Sequence, residues 1–174
     1  MKRHYFYLLF LFSPLKGYCI DYPISISGNV IRTPCTINNG GQVTIDFSDI
    51  STLDVGKDKL KKEVKLNVSC GYYNLNPYVK LTGNKFGAYD NILATDNKNL
   101  GIALYQGSGT TNKLIIGEGT MMQGRGIGYK IIDGINKYAA DFTFTFTALP
   151  FSNNPNALLS GSFSAVANLS IIYN

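Results

Sequence analysis

Asp141-Phe142-Thr143-Phe144-Thr145-Phe146-Thr147 alternates aromatic and hydroxyl side chains without a break. A backbone with a side-chain period of two puts the three phenylalanines on one face and the threonines on the other, which is a strand with one buried side. Working outward, the same alternation recurs in Val43, Ile45 and Phe47, and in Val64, Leu66 and Val68 before Cys70. Shorter alternating runs cover residues 78–81, 101–105, 113–116 and 129–132. Turn chemistry separates them at residues 38–41, 74–77, 107–109, 117–119 and 152–155, all rich in Gly, Asn, Ser or Pro.

About seven short strands with such turns predict an all-β, immunoglobulin-like sandwich. The chain has 174 residues, the length of one domain with its own core. Charged residues are only 16% of it. The best helical candidate, residues 54–65, is short and basic; it is read as a solvated loop or single turn leading into a strand, with a basic partner patch as the alternative.

The first nineteen residues have the layout of a secretory signal: Lys2 and Arg3, an apolar run at 5–12, then Ser13 and Pro14. The run is too short to span a bilayer. Cleavage is expected after Cys19, with Ile20 as the new N-terminus. A lipoprotein signal acylated at Cys19 is the alternative, and bulky Tyr18 stands against it. The domain plan is therefore a signal at 1–19, an N-terminal extension at 20–32 and a main domain at 33–174.

Losing the signal changes the chemistry that remains. Without Lys2, Arg3 and Lys16, 13 basic residues face 11 acidic ones, a net charge of +2. That is too little for a phosphate-tracking surface, so no nucleic-acid partner is expected. The only histidine, His4, leaves as well. A Ser-His-Asp triad, a Cys-His pair or an ordinary zinc site cannot be assembled, and no catalytic residue, metal or cofactor is expected. Cys35 and Cys70 remain, an even count in an exported chain, which reads as one disulfide, two buried free thiols being the alternative.

The two ends are unusual. Tyr22, Ile24, Ile26, Gly28 and Val30 occupy alternate positions with polar residues or Pro23 between them. A strand here, at a free terminus and carrying Pro23 and Gly28, would be a weak edge in its own sheet. It suits another molecule's sheet better. At the other end Gly161 precedes the alternating Phe163, Ala165, Ala167, Leu169, Ile171 and Tyr173, and the sequence stops at Asn174. So apolar a final strand, left at an edge, is an aggregation hazard. The ends read as halves of one joint, an orphan strand and a groove that lacks one. Burying Tyr22, Ile24, Ile26 and Val30 at about 1.5 to 3 kcal/mol each supplies roughly 6 to 12 kcal/mol before entropy costs.

These residues carry a family resemblance. The extension with Gly28, the stretch Pro34-Cys35-Thr36-Ile37-Asn38-Asn39-Gly40, Val68-Ser69-Cys70, residues 101–107, Phe142-Thr143-Phe144-Thr145 and the ending Leu169-Ser170-Ile171-Ile172-Tyr173-Asn174 resemble the chaperone-usher pilins. Gly161, fourteenth from the end, and penultimate Tyr173 fit that family's C-terminal signature. Tyr22 and Pro23 depart from it, being bulkier and more constrained than a donor strand usually is. The resemblance implies an incomplete immunoglobulin-like sandwich lacking its C-terminal strand. Completion comes by β-strand addition, of which chaperone–pilin complementation is an established instance. It further implies a periplasmic chaperone, an outer-membrane usher and neighbouring pilus subunits, including the tip adhesin, as partners, and a place in a pilus on the cell surface. Tyr22, Ile24, Ile26, Gly28 and Val30 would be donor positions. Residues 163–173 would border the acceptor groove, and the Asn174 carboxylate would meet basic chaperone residues.

Other motifs have plainer explanations. Gly124, Gly126 and Gly128 lack the strand-to-helix context of a phosphate loop and read as a turn. The sequons at Asn67 and Asn168 fall in expected strands. Asp46 and Asp49 have no acid, base or metal cluster beside them. Tyr72, Tyr73 and Tyr89 could stack on sugars, which makes a stand-alone carbohydrate-binding module the competing function.

Overall fold

The computed structural model describes residues 23–28, 30, 34–72 and 76–174. The signal segment with Cys19 and His4, and the positions Tyr22 and Tyr73, lie outside the described residues. The chain divides after Ile31 into two units. In the first, the described residues belong to no strand.

The second unit is built from strands β1 Thr36–Ile37, β2 Lys62–Ser69, β3 Pro77–Gly83, β4 Ile92–Ala94, β5 Gly101–Gln106, β6 Asn112–Lys113, β7 Met121–Met122, β8 Arg125–Gly126, β9 Tyr129–Lys130, β10 Asp141–Phe151 and β11 Ala167–Tyr173. One sheet runs β1-β2-β10-β5-β4 with β6 on β5, a second runs β11-β3-β9, and β7 and β8 form a small hairpin. All named pairs are antiparallel.

The phenylalanine alternation places β10 at the centre, pairing with β2 from Asp141↔Ser69 to Ala148↔Lys62 and with β5 from Phe146↔Gln106 to Phe151↔Gly101. Phe142, Phe144 and Phe146 meet Leu66, Val68 and Leu104 of their own sheet and Val79, Leu81, Ile171 and Tyr173 of the other. This apolar layer between two sheets is what holds the sandwich together. The disulfide Cys35–Cys70 is formed, with Cα atoms 4.3 Å apart. Cys35 also donates its N–H to Ile171 O at 2.7 Å, and the next two residues pair with β2, so the chain crosses between the sheets here.

Some expected strands are shorter than their alternation. Over 113–116 the ladder ends at Lys113, although Leu114 and Ile116 are fully buried. Their N–H groups go singly to Leu104 O and Asp90 O, so apolar alternation marked burial without a continuous partner. Over 129–132 the strand is β9 alone; Ile131 is buried and Ile132 exposed. Val43, Ile45 and Phe47 belong to no strand at all. A ladder needs a neighbour, and this segment has none among the described residues. The short strands β1 and β4 and the β7–β8 hairpin carry too little alternation to be seen beforehand.

Residues 54–65 are the two 3-10 turns Thr52–Asp54 and Asp58–Leu60 leading into β2. The basic patch is largely neutralised, since Lys57 and Lys59 pair with Asp54, Lys61 with Asp58 and Lys65 with Glu63. Gly124, at φ +76°, turns β7 into β8. Gly128, at φ +90°, lies so close to β3 that a Cβ would collide with the Val79 carbonyl. Gly128→Ala is therefore expected to destabilise the fold by about 2 kcal/mol or more, measured by chemical denaturation. A change within about 0.5 kcal/mol would contradict the close contact.

Candidate functional site: an open groove between the sheets

The sandwich is not closed. A groove of about 820 Å³ runs between the segments 41–47 and 163–170. Its floor is the core itself: Leu66 of β2, Phe146 of β10, Leu104 of β5 and Leu81 of β3, with Leu93 and Leu114, line it while remaining buried. Residues 42–47 and 162–166, one on each lip, carry no strand pairing. At one end the Phe47 and Phe163 rings meet across the gap, centroids 6.2 Å apart. At the other, the Cys35–Ile171 hydrogen bond joins the lips. From Phe163 to Leu169 the lip spans about 20 Å, the length of a six- or seven-residue strand.

The backbone of the 163–171 lip has a definite handedness. In an antiparallel strand the N–H and C=O of one residue point to the same side, and successive residues alternate. Ile171 presents its carbonyl to Cys35, on the groove side. Leu169, Ala167, Ala165 and Phe163 share its parity and present main-chain groups to the groove. Ser164, of opposite parity, is bonded away from it. Its N–H and its hydroxyl each donate to the Asp96 carboxylate at 2.7 Å. These bonds, hydroxyl first and amide second, hold the Asp96 carboxyl below its usual range.

Of the expected acceptor residues, Phe163, Ala165, Ala167 and Leu169 line the groove. Ile171 and Tyr173 are fully buried beneath its end, Tyr173 standing edge-on to Phe142 at 5.9 Å and donating its hydroxyl to Ala139 O at 3.3 Å. Burial pushes the Tyr173 hydroxyl up from its ordinary pKa, the Tyr138 hydroxyl adding to the effect. Asn174 exchanges main-chain bonds with Asn76 at 2.8 and 3.0 Å. Gly161 does not line the groove; it sits before the lip at φ +151°. The opposite lip, with Val43, Ile45 and Phe47, was legible only as alternation, and no local pattern signals that it faces the C-terminal strand. Asp96 had no signal at all.

In the first unit Ile24, Ile26 and Val30 are 84%, 92% and 91% exposed, and Gly28 has open space around it. Apolar side chains this exposed on alternate positions have not found their partner surface.

Residues 24–174 match the model of the fimbrial protein family. The chain is similar to the fimbrial adapter PapF of Escherichia coli, 40% identical over 155 residues that cover 88% of this chain and 89% of that protein. It is also similar, at 39% identity over 155 residues and the same coverage, to the minor fimbrial protein PrsF of Escherichia coli. Among solved structures it resembles the P pilus adaptor subunit PapF with a TM-score of 0.57 and 33% identity, covering 84% of this chain and 100% of that one.

Proposed function

The chain belongs to the fimbrial protein family, and within it we propose that this subunit is an adaptor joining a tip adhesin to the rest of a pilus fibre. Its fold is the incomplete immunoglobulin-like sandwich of the pilins, and pilins are structural proteins rather than enzymes. The observation that carries the reading is the open groove between two unpaired lips, over an apolar floor, in a chain that also carries an exposed alternating apolar segment. A groove of this kind leaves lip amides without a ladder above an apolar floor, which a strand from outside would pair and cover.

A periplasmic chaperone supplies that strand first. At the outer-membrane usher the N-terminal extension of a neighbouring subunit replaces it. Tyr22, Ile24, Ile26, Gly28 and Val30 are the donor positions toward the next subunit, after removal of residues 1–19 as the export signal. Phe163, Ala165, Ala167 and Leu169 receive the incoming strand, and the Asn174 carboxylate would meet basic chaperone residues. The role is adhesion through assembly at the cell surface, with no catalytic step and no cofactor.

An adaptor must accept and donate, whereas a terminator needs a blocked acceptor; the open groove favours the adaptor. A carbohydrate-binding module is less favoured because Tyr89, though 41% exposed, is packed edge-on against Phe151 at 5.1 Å and against Phe86 at 6.2 Å, and Tyr72 is half-buried. The test is periplasmic expression of residues 20–174 with and without the cognate chaperone, followed by addition of a peptide covering 20–32. Solubility that depends on the chaperone, and its displacement by the peptide into a more heat-stable complex, is the expected outcome. A stable monomer that ignores this peptide and a neighbouring subunit's equivalent would remove the strand-exchange reading.

A further inference from the structure

Strand β3 ends at Gly83, opposite Ala167, so it provides no partner for the lip residues 163–166. The loop 95–99, between β4 and β5, takes over. Asp96 Oδ1 accepts the Ser164 N–H at 2.7 Å, Oδ2 accepts the Ser164 hydroxyl at 2.7 Å, and the Asp96 N–H donates to Ser164 O at 3.1 Å. The same loop grips the chain just upstream: the Asn97 and Asn99 side-chain amides donate to Leu159 O and Ala157 O, each at 3.1 Å. It is itself braced by the Thr95 hydroxyl, which donates toward Leu100 O at 2.8 Å and Asn97 O at 3.0 Å and accepts from Asn97 N–H at 3.2 Å.

We infer that Asp96 is a positioning residue for strand uptake, acting as a one-residue surrogate strand that keeps the 163–166 lip extended. Both main-chain groups of Ser164 and its hydroxyl are fixed on the side away from the groove. The groups of Phe163 and Ala165, one residue to either side, are thereby turned toward the incoming strand. Without the clasp this lip is an edge with a partner on neither side, which frays. The incoming strand must then order it during docking, and the lost backbone entropy slows association. The inference rests on the strand-uptake reading above and adds to it a residue outside the groove.

The experiment compares uptake of a fluorescent peptide covering 20–32 by wild-type, Asp96→Ala and Asp96→Asn proteins spanning 20–174, together with amide exchange along the lip. Asparagine keeps an acceptor for the Ser164 N–H and a donor for its hydroxyl oxygen, while alanine keeps neither. Asp96→Ala is expected to slow association about fivefold and Asp96→Asn to stay within about twofold of wild type. Exchange at Ser164, whose N–H Asp96 holds, is expected to quicken in Asp96→Ala, with Ser170 and Ile172 of β11 unchanged, which a general loss of stability would not produce. Equal uptake by Asp96→Ala and wild type overturns this inference alone, as does an asparagine variant as slow as alanine. Failure of the wild type to take up both this peptide and a neighbouring subunit's extension removes the strand-uptake reading and this one with it.

Discussion

Ala165→Trp is expected to weaken strand uptake severely without touching strand donation, and Ile26→Asp to do the reverse. Ala165 is an exposed, small residue on the groove lip, so an indole there has room in the unfilled groove and occupies the volume an incoming side chain needs. Displacing one large apolar side chain forfeits about 1.5 to 3 kcal/mol, and the disturbed ladder adds to it, so affinity for a donor strand is expected to fall about a hundredfold or more. Ile26, 92% exposed in the free chain, loses nothing there on becoming aspartate. Carried into a neighbour's apolar groove, its carboxylate would be desolvated without a partner, at a cost of several kcal/mol. Mixing each variant with wild-type subunits and following assembly by size tests both arms. Ala165→Trp protein should occupy only a position whose groove stays empty, and Ile26→Asp protein only one from which no strand is passed on. Unimpaired uptake by the tryptophan variant would sink the groove assignment; unimpaired donation by the aspartate variant would sink the donor assignment.

Replacing both Cys35 and Cys70 by serine is expected to lower stability by about 3 to 4 kcal/mol, the chain-entropy contribution of a bridge across 35 residues. Against a typical total of about 5 to 15 kcal/mol that is a large share. The loss is local as well as global. Cys35 lies where the chain passes from its bond with β11 to its pairing with β2, and its N–H closes the groove at Ile171. Freed from Cys70, this corner loosens and the groove loses its fixed end. Denaturation of wild-type and double-serine proteins, each complemented with the peptide covering 20–32, measures the difference. A change below about 1 kcal/mol would mean that packing alone holds the corner.

Alternation made the central strand legible, because Phe142, Phe144 and Phe146 are buried on one face along a continuous ladder with β2. It failed in a revealing way at 43–47. Period two reports which side chains face the core, and it does so whether or not the backbone has a neighbour. Val43, Ile45 and Phe47 carry the pattern of a strand and pair with no strand among the described residues.

What the sequence determined by itself is whatever depends on local period and composition. Those are the all-β class, the one disulfide available to an exported chain with two remaining cysteines, the apolar faces at both ends and the family. Only the tertiary structure decided which segments form the two lips, because residues 41–47 and 163–170 are more than a hundred positions apart and no local pattern couples them. It alone showed that Gly161 lies outside the groove and that Asp96 anchors Ser164. A carboxylate in a loop has no period, and the bond it makes 68 residues away exists only once both sheets have packed.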